Sequence, residues 1–177
     1  MTYSSGTPLK AVAGRLALDF VNTADWTPFG TVLQDRIENL DDLSAWSTQM
    51  GLQNSQWIGT IEDLHAFRIE VREAILGTGV LDLNFALKAA EQPFAPWLRQ
   101  QSLRELIAAS AISILIDPRE IARVKLCPGH DCGWLFLDET KNARRKWCLM
   151  EVCGNRAKSS RHYARTISLK DEIQTDR

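Results

Sequence analysis

Apolar side chains recur at helical spacing over most of the first 122 residues. Structure is expected to begin near Arg15, after a small, polar lead-in containing proline and glycine that should be loosely held. Leu16, Ala17, Phe20 and Val21 share one face of a helix, with a short strand as the alternative. Trp26, Thr27, Pro28, Phe29 and Gly30 read as a turn-rich loop with two exposed or pocket-lining aromatics. A helix over 41–50 follows from Asp41 and Asp42 at its start and Gly51 at its left-handed end, with Leu40, Leu43, Trp46 and Met50 facing the core. A longer helix over 60–76 carries Ile61, Leu64, Phe67, Ile69, Val71, Ile75 and Leu76 on a broad stripe and stops at Gly77. Asp82 caps a further helix to about Glu91, ended by Pro93 and Pro96. The last helix of this part runs from Pro96 or Trp97 to Ile116, apolar nearly all round in its second half, and breaks at Asp117 and Pro118.

Beyond the bridging residues 119–125 the pattern changes. Residues 133–138, which alternate large apolar with other side chains, suggest a strand, residues 139–143 a turn, and residues 144–148 a returning strand. A helix then runs from Gly154 to about Arg165 or Ile167. The expected fold is a mainly α N-terminal domain over 1–122, followed over 123–177 by a small α+β, treble-clef-like unit.

Composition leaves room for that arrangement. Of 177 residues, 45% are hydrophobic and 24% charged, which supports a packed core and argues against disorder over most of the length. The N-terminus lacks a basic start followed by an apolar run, and the longest apolar stretch, Leu106 to Ile116, is about half of what a bilayer span needs. A cytoplasmic protein with no membrane partner is expected. The net charge of −1 hides an asymmetry. Residues 1–126 hold 11 basic and 15 acidic side chains, whereas 141–165 hold 8 basic and 1 acidic. Such a contrast suits a body that carries a polyanion-seeking module.

The same basic segment lies among the four cysteines. Cys127, Cys132, Cys148 and Cys153 form two pairs with four residues inside each pair and 15 between pairs. In a reducing compartment this reads as one structural zinc ion in a closed thiolate shell, with His130 and then Asp131 as minor rival ligands. A closed shell leaves no position for water or substrate, so the metal should build structure, and its removal should disorder residues 127–165 before the helical body. The body shows no paired acids, nucleophile with base, or glycine-rich phosphate loop, and no enzymatic activity is expected. His65 has no second ligand at helical spacing and reads as an ordinary satisfied or solvent-facing histidine.

The order Cys132-Gly133-Trp134, Phe136, Asp138, Asn142, Arg145, Trp147-Cys148 and Cys153-Gly154-Asn155-Arg156 with Lys158 resembles the CGNR zinc finger, with Thr140 where a serine is usual. Residues 15–23, with Leu43 and Trp46 after them, resemble the start of the ABATE domain that precedes this finger in bacterial proteins. The resemblance implies a stress-responsive transcription regulator, with a DNA-contacting finger and an N-terminal domain that senses a small ligand.

Candidate nucleic-acid contacts are Arg144, Arg145, Lys146, Asn155, Arg156, Lys158, Arg161, His162 and Arg165; positions 158, 161, 162 and 165 share one helix face. The bland reading is a solvated charged surface in which Arg145 or Arg156 pairs internally. Asp19, Asn22, Thr23, Trp26, Arg36 and Trp46 are the candidate small-ligand set, although Asp19 and Asn22 equally suit capping or tying of local backbone. A rival function is a zinc-stabilised protein-interaction or RNA-binding module docked on its own body. A homodimer is compatible with the sequence, but no segment demands one.

Overall fold

The computed structural model describes residues 9–82 and 102–175, with side chains as far as residue 166. The expected helix from Asp82 to Glu91 and the first part of the one beginning at Pro96 or Trp97 lie outside the described residues.

The first helix, α1 (Leu16–Val21), has only six residues and no side-chain cap. Packing holds it, because Ala17, Leu18, Phe20 and Val21 are fully buried. Asp19 accepts the N–H groups of Val12 and Ala13 at 2.8 and 2.9 Å. Ala13 is itself buried, so the lead-in is pinned from this point and not loosely held.

An antiparallel hairpin follows, of β1 (Ala24–Trp26) and β2 (Val32–Asp35), with a register irregularity between Asp25 and Trp26. The expected loop is the turn of this hairpin, closed by the Gly30 N–H on the Thr27 carbonyl at 3.1 Å, but Trp26 is a buried strand residue whose indole Nε1 donates to the Val21 carbonyl at 2.8 Å, and of the two aromatics only Phe29 stands in solvent.

Helix α2 (Leu40–Gln49) is capped by Asn39, whose side chain accepts from the N–H groups of Asp41 and Asp42. Gly51 adopts φ +75°, as its position required. Leu43 and Trp46 enter the core, but Leu40, at the first helical position, faces solvent.

Helix α3 (Ile61–Leu76) starts with a reciprocal capping box between Thr60 and Asp63 and ends at Gly77 in the left-handed conformation. Its buried face is rotated from the expected stripe. Ile69 and Leu76 are exposed, while Arg68 and Arg72 are among the most buried side chains of the protein.

Helix α4 (Leu103–Ile116) is capped by Ser102 and Glu105 and packs against α1 and α3. A short α5 (Pro118–Ile121), capped by Asp117, leads to β3 (Val124–Leu126). Strand β3 pairs antiparallel with β4 (Leu135–Leu137), Val124 opposite Leu137 and Leu126 opposite Leu135. This reverses the expected pairing, since β4 joins the strand before it and residues 144–148 return as irregular chain. A π-helical turn (Met150–Gly154) opens into α6 (Asn155–Thr175).

The N-terminal region is thus mostly helical and the C-terminal one small and α+β. One continuous buried cluster spans both, joining Phe20, Phe67 and Ile107 to Trp134, Leu135, Phe136 and the four cysteines. None of the described helices is long and apolar enough to cross a membrane.

Candidate metal centre and basic face

The β3–β4 hairpin carries the first cysteine pair at its tip. The Cys127 N–H donates to the Trp134 carbonyl at 2.9 Å, and the Cys132 N–H closes a turn on Gly129 at 3.1 Å. Gly129 is needed for closeness, as a Cβ there would stand 3.0 Å from Cys153 Sγ and 3.2 Å from Cys132 Cβ. The second pair arrives on the irregular return and the π turn, where the Cys153 N–H donates to Leu149 at 3.0 Å.

All four sulfurs lie within 4.8 Å of one another and all four cysteines are free thiols. Cys132 and Cys148 Sγ are 3.7 Å apart, and Cys148 and Cys153 Sγ 3.6 Å. A tetrahedron with Zn–S bonds of about 2.3 Å places its sulfurs about 3.8 Å apart, whereas a disulfide needs about 2.05 Å. The donor set therefore fits zinc. Without a cation four such neighbours cannot all ionise. Hydrogen bonds from Cys132, Cys148 and Cys153 hold the Cys127 thiol far below its usual range, while those with Cys127, Cys132 and Cys153 push Cys148 up. A divalent metal removes the conflict. His130 is not a ligand here: its exposed ring pairs with Asp131 at 2.6 Å.

A polar hub replaces the missing return strand. Asp138 is fully buried and accepts from Lys125 Nζ at 2.6 Å and from the N–H and hydroxyl of Thr140. Burial opposes its ionisation, but these bonds prevail and hold the carboxyl well below the ordinary range. Lys125 Nζ also donates to the carbonyls of Ala143 and Arg145, closing the loop. The Thr140 hydroxyl further accepts the Arg144 N–H at 2.9 Å, so the threonine supplies what the motif's serine would.

The finger is docked, not tethered. Asn22 donates from Nδ2 to the Leu135 carbonyl at 2.7 Å and accepts the Leu135 N–H at 3.0 Å. The Leu137 N–H reaches the Ala13 carbonyl at 2.8 Å, so the free edge of β4 is covered by the N-terminal region. Trp134 Nε1 donates to Ala24 at 3.1 Å, and the Gly133 N–H donates to Trp26 at 2.9 Å. A side chain at Gly133 would have its Cβ 2.7 Å from Trp26 Cβ and closer still to the Thr27 carbonyl.

These contacts change the candidate lists. Arg145 is not a surface cation. Its guanidinium donates to the carbonyls of Val12, Leu137, Trp147 and Cys148 and lies 4.5 Å from the Phe136 centroid, clasping the finger to the lead-in. Arg156 is half buried and donates to the His130 carbonyl at 3.2 Å. Asn155 donates to Glu151 at 3.0 Å. Arg144, Lys146, Lys158, Arg161, His162 and Arg165 are exposed. Lys146, Arg156 and Arg161 also border a groove of about 360 Å³ beside Cys153, completed by His130 and Ser160 above Pro128 and Trp147.

Of the candidate small-ligand set, Asp19, Asn22, Thr23, Trp26 and Trp46 are all buried. Asp19 and Asn22 hold backbone as described, the Thr23 hydroxyl donates to Phe20 at 2.7 Å, and Trp46 packs 5.9 Å from the Phe20 centroid. Trp26 lies beneath the Arg72 guanidinium at 4.5 Å, and Arg36 faces Asp25, whose carboxyl burial pushes up against the pull of that arginine. The sequence reading missed Arg68, Arg72 and Lys125. Helical spacing placed the two arginines on α3, but only tertiary packing decides which side of the helix turns inward.

The architecture is that of a four-cysteine zinc finger built onto a mostly helical body. The chain belongs to the ABATE family, described as "Putative stress-induced transcription regulator", whose model matches residues 14–118. The CGNR zinc finger matches residues 123–166. No curated protein matches the chain.

Proposed function

We propose that this protein is a DNA-binding regulator, in which zinc holds the finger, the connector and α6 meet the phosphate backbone, and the N-terminal body senses a small ligand. One observation carries the reading. Arg144, Lys146, Lys158, Arg161 and Arg165 are exposed on a single small module, and none forms an ion pair with a carboxylate among the described residues. Cations left to solvent in such density suit phosphate contact, and the groove bordered by Lys146, Arg156 and Arg161 offers a seat for one phosphate. Asn155, Ser160 and His162 supply hydrogen-bonding groups beside these charges. Such a regulator works in the cytoplasm, where the four thiols stay reduced for the metal.

The rival protein-interaction reading gains support from the docking of Trp134 and Leu135 on the body. That docking leaves α6 and its cations free for a second partner, so the two are compatible. Selection from randomised duplexes with the zinc-loaded full chain distinguishes them. A duplex motif should be enriched, and replacing Lys158 and Arg161 by alanine should weaken binding with zinc retained. Binding to single-stranded RNA with no duplex enrichment would favour the rival.

A further inference from the structure

Two guanidinium groups in the N-terminal body are used neither by the zinc centre nor by the docking of the finger. Arg68 and Arg72 stand one turn apart on α3 and are 1% and 2% exposed. Arginine is seldom so buried unless its charge and donors are satisfied. Arg68 is satisfied in part: Nη1 donates to Asp35 Oδ2 at 2.6 Å, while among the described residues Nε and Nη2 have no hydrogen-bond partner. Among the same residues Arg72 has no hydrogen-bond partner for Nε, Nη1 or Nη2. Its guanidinium lies 4.5 Å from the Trp26 centroid, as that of Arg68 lies 5.9 Å from Phe20. Burial lowers the Arg72 pKa to about 10, against the field of Cys132, which favours the cation. That field supplies no acceptor atom. Each buried donor left open in a native fold calls for an explanation, and here five guanidinium nitrogens are open on two neighbouring side chains.

The chemistry of the open groups narrows what fills them. Asp35, the carboxylate paired with Arg68, also lies 3.2 Å from His65 Nε2 and leaves the remaining donors without acceptor atoms. Over the apolar faces of Phe20 and Trp26 a singly charged carboxylate costs less to desolvate than a phosphate dianion. The planar fork of arginine matches a carboxylate bidentately.

We propose that Arg68 and Arg72 are the recognition site for a small monocarboxylic acid, whose carboxylate accepts their open N–H groups over the floor formed by Phe20 and Trp26. The site deepens the sensing half of the function proposed above. Arg72 joins it to the finger, since Trp26 beneath it accepts the Gly133 N–H.

The test uses the zinc-loaded full chain without DNA, titrated calorimetrically with sodium acetate and sodium benzoate against sodium chloride and inorganic phosphate at matched ionic strength. Saturable binding of at least one carboxylate, tighter than phosphate, is expected. Affinity should fall about tenfold or more in Arg72→Met, as removing charge-assisted hydrogen bonds entails. Arg72→Lys, which keeps the charge but not the fork, should fall similarly and serves if Arg72→Met does not fold. No saturable carboxylate binding, or equal binding by the wild type and both variants, overturns the proposal. Loss of zinc affinity in Arg72→Met with no carboxylate response also overturns it, assigning Arg72 to the charge of the metal centre alone. Because the assay contains no DNA, failure here leaves the DNA reading standing, and failure of DNA binding leaves this site standing.

Discussion

Replacing Asn22 by alanine tests how the finger is held on the body. The Asn22 amide acts as one residue of a surrogate strand, giving and taking a hydrogen bond with Leu135 at 2.7 and 3.0 Å. Both partners are buried, Asn22 at 3% exposure and Leu135 at 0%. Alanine removes the amide and leaves the Leu135 N–H and C=O without partners. Each stranded group costs about 1–3 kcal/mol, so the expected loss is about 2–5 kcal/mol. For a chain of this size that corresponds to a fall in melting temperature of about 5–15 °C. Calorimetry or urea unfolding of the zinc-loaded protein measures it, and hydrogen exchange should show the Leu135 amide losing protection first. Asn22→Asp is the companion variant. It keeps the acceptor but sets a carboxylate oxygen against the Leu135 carbonyl, so it should be the worse substitution at neutral pH and recover partly in acid, when the carboxyl can donate. A loss below about 0.5 kcal/mol for Asn22→Ala, the range of ordinary surface changes, would show that the amide does not carry the strand edge.

Other tests follow from the same geometry. Gly133→Ala should cost about 1–3 kcal/mol in unfolding experiments with zinc content unchanged, because its Cβ would press on Trp26 and Thr27 backbone; Gly154→Ala, which meets chiefly the flexible Met150 side chain, should cost less. Because the finger shares its core with the body, removing zinc with a chelator should not disorder residues 127–165 alone, as the sequence suggests, but lower the melting temperature of the entire chain and expose Trp134 to fluorescence quenchers; a body that melts unchanged after chelation would refute the shared core. Asp138 has a depressed carboxyl pKa, so its contribution is present above the unfolded value of about 3.9 and is lost as pH falls through the folded value. The stability difference between wild type and Asp138→Asn should accordingly be largest at neutral pH and shrink in acid; a difference independent of pH would contradict the Lys125–Asp138 pairing.

Features set by local chemistry were legible in the sequence. The cysteine spacing led to the metal cluster, and Thr60, Gly51 and Gly77 bound their helices as expected because caps depend on neighbouring backbone alone. The hairpin at residues 24–35 was not legible, since strands of three and four residues are too short to show alternation and β1 is buried on both faces. Strand β4 has a clear apolar pattern, but pattern does not reveal partner, and the pairing with β3 over the first cysteine pair was missed. Arg145 sits in one basic run with Arg144 and Lys146. Only the structure separates the arginine that binds four carbonyls from the cations left in solvent. Asn22 and Asp19 stood in the candidate small-ligand set, with the tying of local backbone as the alternative; in the structure Asn22 docks the finger and Asp19 anchors the lead-in.

The central claim, that the basic face of a zinc-held finger meets duplex DNA, is tested most directly by the salt dependence of binding to a duplex by the zinc-loaded full chain. Five exposed cations contacting phosphate, Arg144, Lys146, Lys158, Arg161 and Arg165, give an expected slope of log affinity against log salt of about −4 to −5. Replacing Lys158 and Arg161 by alanine should make the slope shallower by about 2. No duplex affinity at low salt, or affinity that does not change as salt rises, would contradict the account.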